Sequence, residues 1–424
     1  MESEVDAAMT APVPGPRFVP DKDMAKEALT HFMTAFVFLI LGLAALVWNS
    51  ERLSNGAFGD ARVVGGLHFI TLGWLSVSIF GALRVFTGVA LGQQGFGMAI
   101  AVWVRRLWVG GAAVFPVGLI FHLPLLIVSG AILIGLALML FTIHLVPALW
   151  KAKRGELTRG FLTVALISLW GTWILGAKAA SLRAGSPFGS IPPGYFQAHL
   201  LLAVFGWVGA TVVGVGSHLI PMFALSREPS TLPVKMALPL WCMIPVLAAL
   251  AAFHPNPFAT IGWVVAGVGS LLWITQVAIY FKTRIRKERD PGLALAAGAT
   301  FLLGMGWLTG ILTHASIAFV GWIVIGWLML FTLGIYHRVI PFLVWFSRFA
   351  RKAGQGRLPK VKELLDERLG MVTAVSVLSG ALIWGLGLLV REEVSTYFGS
   401  SLIFLGSLFF IGQLRTLFKG GLAS

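Results

Sequence analysis

Long apolar runs separated by short polar stretches make up almost the whole chain. A run of roughly 17–25 apolar residues is long enough to cross a bilayer as a helix. Twelve runs meet this length. At two places, near 123–125 and 312–314, only a short turn separates one apolar run from the next. The runs cover about 27–48, 63–88, 105–123, 125–150, 160–182, 196–225, 234–253, 258–281, 292–312, 314–346, 370–390 and 396–417. The pattern predicts an all-α, polytopic integral membrane protein with 12 transmembrane helices.

A glycine pattern recurs every four runs. Three of the six Gly-Trp pairs are followed by a glycine eight residues after the first. They are Gly73-Trp74 with Gly81, Gly206-Trp207 with Gly214, and Gly326-Trp327 with Gly334, on the second, sixth and tenth runs. This recurrence predicts three pseudo-repeats of four helices, about 27–150, 160–281 and 292–417. The alternative is that the spacing reflects only helix packing through small faces.

Composition and charge agree with a membrane protein and indicate its orientation. The chain is 57% hydrophobic and 12% charged, against about 25% charged residues in soluble domains. Of its 32 Lys and Arg, 25 lie in the N-terminal segment, the even-numbered loops and the C-terminal segment, and 4 lie in the odd-numbered loops. The positive-inside rule therefore predicts cytoplasmic termini in the cell's inner (plasma) membrane. The net charge of +15 reflects this topology, so it does not indicate a nucleic-acid partner.

The Pro-rich residues 1–24 are predicted to form a disordered cytoplasmic tail before a single membrane domain, 25–424. They lack the basic-then-apolar layout of a cleaved signal peptide. Cys242 is the single cysteine, which excludes an intrachain disulfide and a thiolate metal cluster.

Three histidines are the main candidates for chemistry. With the predicted topology, His68, His199 and His314 lie near the outer ends of the second, sixth and tenth helices. An ionisable residue within the membrane is costly and suggests a functional site, and imidazole is a common ligand of metals and of haem iron. The alternative is that these histidines lie at helix ends for interfacial or packing reasons only.

Cations near the same level are candidates for binding haem propionates. Lys178, Arg183 and Arg391 are on the predicted outer side, where a guanidinium or ammonium can pair with a carboxylate. Two further cations, Arg84 and Arg338, lie near the inner ends of the second and tenth helices. For these two we expect side chains that extend to the lipid headgroups.

Two segments resemble a known family. The stretches QAHLLLAVFGWVGATVVGVGSHLIPMF and HASIAFVGWIVIGWLMLFTLGIYHRVIPF resemble subunit I of the heme-copper oxidase and nitric oxide reductase superfamily, and the resemblance extends over all twelve runs. It implies a b-type or related haem bound by His68 and His314, and a copper-ligand role for His199. The family's propionate-binding arginine pair corresponds to Arg391, which is followed here by Glu392.

The chain also departs from this family. The family's His-x-His pair on the tenth helix is replaced by His314-Ala315-Ser316, and the seventh run, PVKMALPLWCMIPVLAALAAF, contains no histidine. The resemblance therefore implies an incomplete copper site. It points to a divergent relative, similar to the twelve-helix haem- and copper-containing membrane proteins of the nitric oxide response.

These observations predict a haem-binding membrane protein for electron transfer or for binding or reducing a diatomic gas, O2 or NO. It would be an oxidoreductase if it catalyses that reduction, with an unidentified electron donor and with respiratory subunits or a second copy as partners. The main alternative is a transporter or copper pathway without redox chemistry, assisted by Met222 and Met305. The lack of Asp and Glu in the cores of the runs counts against ion coupling. A third interpretation is an accessory subunit with structural histidines.

Overall fold

Twelve long helices make up the protein. The computed structural model describes residues 22–93, 97–187, 189–285, 287–313, 316–350 and 358–419. Within these residues, each of the 12 helices is long and apolar enough to cross a membrane. They are α1 (Lys22–Trp48), α2 (Ala61–Leu91), α3 (Met98–Ile120), α4 (Pro124–Lys151), α5 (Glu156–Arg183), α6 (Tyr195–Ala224), α7 (Leu232–Phe253), α8 (Pro255–Lys282), α9 (Pro291–Thr313), α10 (Ile317–Phe349), α11 (Glu367–Val390) and α12 (Glu393–Leu417). The protein is a multi-pass membrane protein, as the apolar runs predict.

Local sequence explains where several helices begin and end. Asp60 and Asp366 precede α2 and α11, and their carboxylates accept hydrogen bonds from backbone N–H groups of the first turn, which would otherwise lack partners. Pro124 begins α4, where its missing N–H costs no helical hydrogen bond. Gly92 ends α2 in the left-handed conformation, with φ of 68°, which a residue without Cβ adopts readily.

One predicted boundary is wrong. Helix α1 begins at Lys22, so the last residues of the predicted tail 1–24 are helical. Asp23 lies in the first turn of this helix, where a negative charge is favoured by the helix dipole. Residues 1–21 lie outside the described part of the chain.

Helices α2, α6 and α10 form the centre of the bundle. In their most apolar windows, 72%, 78% and 89% of the residues are buried, whereas none of the other nine described helices exceeds 50%. Each of the three contains a π-helical stretch that includes its Gly-Trp pair: Phe69–Ser76, Leu201–Gly209 and Trp322–Met329. The π-helical stretches of α2 and α6 both contact that of α10.

The outer helices contact one another in a recurring order. Helices α1, α5 and α9 each pack on the central helix that follows them, and α3–α4, α7–α8 and α11–α12 form antiparallel hairpins. Helix α4 contacts α5, α8 contacts α9, and α12 returns to contact α1. The contacts therefore close into a ring around the centre. This recurrence supports the predicted division into three four-helix units, which stays a prediction.

The recurring glycines are the sites where each central helix approaches its predecessor. A Cβ added at any of the six would lie 2.3–3.0 Å from a neighbouring heavy atom, which is closer than a normal van der Waals contact. In each unit the two glycines face two residues that are seven apart on the preceding helix. Gly73 and Gly81 face Phe38 and His31, and Gly206 and Gly214 face Ser168 and Phe161. In the third unit, Gly326 and Gly334 face Leu302 and Leu295. The Gly-x7-Gly spacing thus marks three equivalent helix pairs.

We use the predicted orientation to name the ends of the helices. The end on the predicted cytoplasmic side is called inner, and the opposite end is called outer.

Candidate functional site

His68 lies near the outer end of α2, immediately before the π-helical stretch. Its Nδ1 is 2.7 Å from the carbonyl oxygen of Val64, one turn earlier. Because a carbonyl only accepts, Nδ1 donates this hydrogen bond and Nε2 keeps its lone pair. A backbone carbonyl on one ring nitrogen is the arrangement that fixes the tautomer and orientation of a metal-binding imidazole. The ring packs edge-on against Phe115, at 5.4 Å between centroids.

His199 lies near the outer end of α6, and the fold brings it close to His68. The two imidazoles are near enough to interact electrostatically, although 131 residues separate them in the chain. The Nδ1 atom of His199 is buried and has no hydrogen-bond partner among the described residues. Gly176 of α5 faces this ring, since a Cβ there would lie 3.4 Å from its Cε1. Tyr195 stacks on the ring at 5.5 Å.

Two of the three predicted cations, Arg183 and Lys178, lie towards the outer end of α5, and Arg183 is near the pair. Arg183 interacts electrostatically with His68 and with Tyr195. Lys178 is partly buried, and a Cβ at Gly189 would lie 2.8 Å from its Nζ atom. The third, Arg391, is exposed at the end of α11 in the left-handed conformation, with φ of 57°.

His314 lies outside the described residues, in the connection between α9 and α10. Its predicted role as a haem ligand therefore stays a prediction. Among the residues that are described, no group of three or more His, Cys, Asp or Glu side chains is placed to hold a metal ion. The outer site consists of the His68–His199 pair, Tyr195 and the cations of α5.

A layer of three tryptophans lies in the middle of the bundle, on the π-helical stretches. Trp74, Trp207 and Trp327 are each at most 3% exposed, and we call them the tryptophan layer. Trp207 Nε1 donates a hydrogen bond of 3.0 Å to Ser76 Oγ, which joins α6 to α2. Phe205 packs near Trp327 at 6.3 Å between ring centroids. Bulky side chains therefore fill the centre below the outer site.

A second polar group, at the inner end of α1, α2 and α3, was not found from the sequence. The Glu27 carboxylate accepts a 2.7 Å hydrogen bond from Arg105 Nε, and His31 donates from Nδ1 to the backbone oxygen of Glu27 at 2.9 Å. Arg84 of α2 is 5% exposed and interacts electrostatically with His31. The expectation that Arg84 extends to the headgroups is wrong, because the residue is buried near His31. The signal available in the sequence was the i, i+4 spacing of Glu27 and His31.

The expectation for Arg338 is also wrong. Its guanidinium forms an ion pair with Asp290, whose side chain is 3% exposed. Asp290 also accepts a hydrogen bond from the backbone N–H of Leu293 at the start of α9. A buried carboxylate is stabilised by such a partner, so Arg338 remains inside the bundle instead of reaching the lipid.

Comparison with known proteins adds no relative to this picture. No protein-family model matches the chain, and no curated protein matches it significantly.

Proposed function

We propose that this is a haem-binding integral membrane protein related to subunit I of the heme-copper oxidase superfamily, acting in electron transfer or in binding or reducing a diatomic gas. One observation carries the proposal: His68 and His199, on two central helices, are near enough in the outer half of the bundle to interact electrostatically. Both histidines are partly buried, and each has a ring nitrogen with no intrahelical hydrogen bond.

The donor chemistry of this site fits a haem. His68 would bind through Nε2, because Nδ1 is held by the Val64 carbonyl. His199 would act as the second ligand or as the distal group, through a ring nitrogen that lacks a protein partner. His314 remains the ligand implied by the family resemblance. When bound, haem supplies the one-electron and gas-binding chemistry, and the protein adjusts it through its ligands and through burial.

The cations at the outer end of α5 would hold the propionates. Arg183 is close to His68, so a propionate near this ligand would have a charge-assisted partner. Lys178 lies one to two turns further into the same helix and would hold the second propionate. Arg391 is the third predicted partner, at the outer end of α11. With haem held at this end, we place the contact with an electron donor, with respiratory subunits or with a second copy on the outer side.

The visible spectrum of the purified protein tests the proposal. Protein produced with ample haem is compared air-oxidised and dithionite-reduced, and haem is quantified as the pyridine hemochrome. We expect near-unit stoichiometry and sharp reduced bands, with loss of the low-spin spectrum in His68→Ala and a changed or lost spectrum in His199→Ala. His314→Ala decides between the two ligand sets. Loss of the low-spin spectrum would favour His68 with His314, and an unchanged spectrum would favour His68 with His199.

A matched control is available on α4. His144 also donates from Nδ1 to the carbonyl one turn earlier, Leu140, at 2.8 Å, but it lies at the inner end away from the site. His144→Ala should keep the full spectrum. Wild-type protein without haem, or spectra unchanged in His68→Ala, His199→Ala and His314→Ala alike, would refute the proposal.

The second candidate is a transporter or copper pathway in the same fold. The observation that favours it is the same histidine pair, because imidazole nitrogens without a protein partner also suit copper. The predicted assisting thioethers, Met222 on α6 and Met305 on α9, are soft ligands for Cu(I). A colourless protein that binds Cu(I) in proportion to His68 and His199 would favour this candidate.

A further inference from the structure

One cavity of the bundle is separate from the histidine pair, since neither His68 nor His199 lines it. A cavity of about 230 Å³ lies between α2, α6 and α10 in the inner half of the bundle. Its lining begins one helical turn after the tryptophan layer, at Ser78, Thr211 and Phe331, and it reaches Phe32 of α1. All three central helices contribute to its wall.

The wall of the cavity is almost entirely carbon. No Asp, Glu, Lys, Arg or His is among its lining residues, and the polar side chains are four hydroxyls, those of Ser78, Thr211, Thr332 and Tyr336. A charged ligand would leave water without a compensating partner, which costs several kcal/mol or more. The cavity therefore selects against ions and zwitterions.

The hydroxyl hydrogens are all used within the protein. Ser78, Thr211 and Thr332 donate to the backbone carbonyls of Trp74, Trp207 and Leu328, and a carbonyl only accepts. Because the Ser78 hydrogen is used in this way, Tyr336 is the donor in its 2.5 Å hydrogen bond to Ser78 Oγ. A ligand carbonyl or ether would find no free donor in the wall, and water would find too few partners to be held well.

The mouth of the cavity is apolar as well. Met222 of α6 and Phe342 of α10 line it and are 45% and 42% exposed. Both lie towards the inner ends of their helices. The exposed part of the lining that these two residues form is therefore apolar, which favours the entry of an apolar molecule over a polar one.

We propose that this cavity binds a small, uncharged, apolar molecule of about one aromatic ring or an equivalent short hydrocarbon. An engineered apolar cavity of about 150 Å³ stays dry and binds benzene, and the cavity here is larger than that. The binding site rests on the packing of α2, α6 and α10, and it does not depend on whether the histidine pair holds haem.

Photolabelling of the full chain in lipid nanodiscs tests the proposal. The probe is phenyl trifluoromethyl diazirine, an uncharged single-ring label, and modified peptides are mapped by mass spectrometry. We expect labelling within 77–89, 211–223 and 331–343 that excess fluorobenzene suppresses and benzoate does not. Labelling of lipid-facing helix surfaces should not saturate. Cavity labelling that fluorobenzene leaves unchanged, or that benzoate suppresses equally, would overturn the proposal.

Two variants and a matched control locate the site. Val215→Phe on α6 and Ala82→Leu on α2 enlarge partly buried lining residues, and each should abolish the saturable labelling. The control is Val246→Phe, which makes the same change as Val215→Phe but on the lipid-facing side of α7, where Val246 is 59% exposed. It should leave the saturable labelling intact. Saturable labelling that persists in a cavity-filled variant eluting as a folded monodisperse species would overturn the assignment.

Discussion

The contact between Gly73 of α2 and Phe38 of α1 allows a quantitative test of the packing. A Cβ at Gly73 would lie 2.3 Å from Cγ and 2.4 Å from Cβ of Phe38, whereas carbon atoms in contact are about 3.5–4.0 Å apart. Gly73→Ala therefore forces α1 and α2 apart locally. Such overpacking costs about 1–3 kcal/mol, and the better helix propensity of alanine offsets up to about 1 kcal/mol of this. We expect a net loss of about 1–2 kcal/mol in the free energy of unfolding.

The assay is SDS titration from mixed micelles, with helix content as the signal, and it includes two comparison variants. Gly412 of α12 has no heavy atom within 4 Å of an added Cβ, so Gly412→Ala should be neutral or slightly stabilising. Gly326→Ala should lower the free energy of unfolding less than Gly73→Ala does, because a Cβ at Gly326 would lie 3.0 Å from Leu302 Cβ. If Gly73→Ala were as stable as Gly412→Ala, the close approach of α1 and α2 would be refuted.

Two further predictions concern charged groups. Glu27 is 7% exposed and pairs with Arg105, whose side chain is 20% exposed, so Glu27→Gln should lower the free energy of unfolding by about 3 kcal/mol, the lower end of the range for breaking a buried ion pair. Glu51→Gln, at an exposed position of the first outer loop, is its control in the same SDS titration, and equal losses would contradict the buried pair. Hydrogen bonds from the Ser395 side chain and from the Ser395 and Val394 backbone N–H groups lower the pKa of Glu392, at the start of α12, below its ordinary value. A carboxyl whose pKa is lowered on folding stabilises the fold above its unfolded pKa, and this stabilisation is lost as the pH falls through the folded pKa. Stability measured from pH 6 to pH 3 should therefore fall less in Glu392→Gln than in the wild type, and parallel curves would contradict this.

The histidines show how far the sequence could predict the candidate site. Placing His68 and His199 near the outer ends of their helices needed only the span boundaries and the distribution of Lys and Arg. Which histidines meet was a different question, because it depends on the rotation of α2 and α6 about their axes. Here the fold brings His68 near enough to His199 for electrostatic interaction, whereas the family resemblance had suggested His314 as its partner.

Local sequence alone determined the twelve helices. A long apolar run that crosses a bilayer must satisfy its backbone hydrogen bonds within itself, and a helix of this length does so. It also contained the glycine spacing that recurs every four helices. Only the tertiary structure decided that these glycines face the preceding helix, that Arg84 is buried and Arg338 pairs with Asp290, and that an apolar cavity lies one helical turn below the tryptophan layer. These features arise from side chains far apart in the chain, such as Trp207 and Ser76. Their contacts depend on how helices rotate and pack, and no local pattern records that.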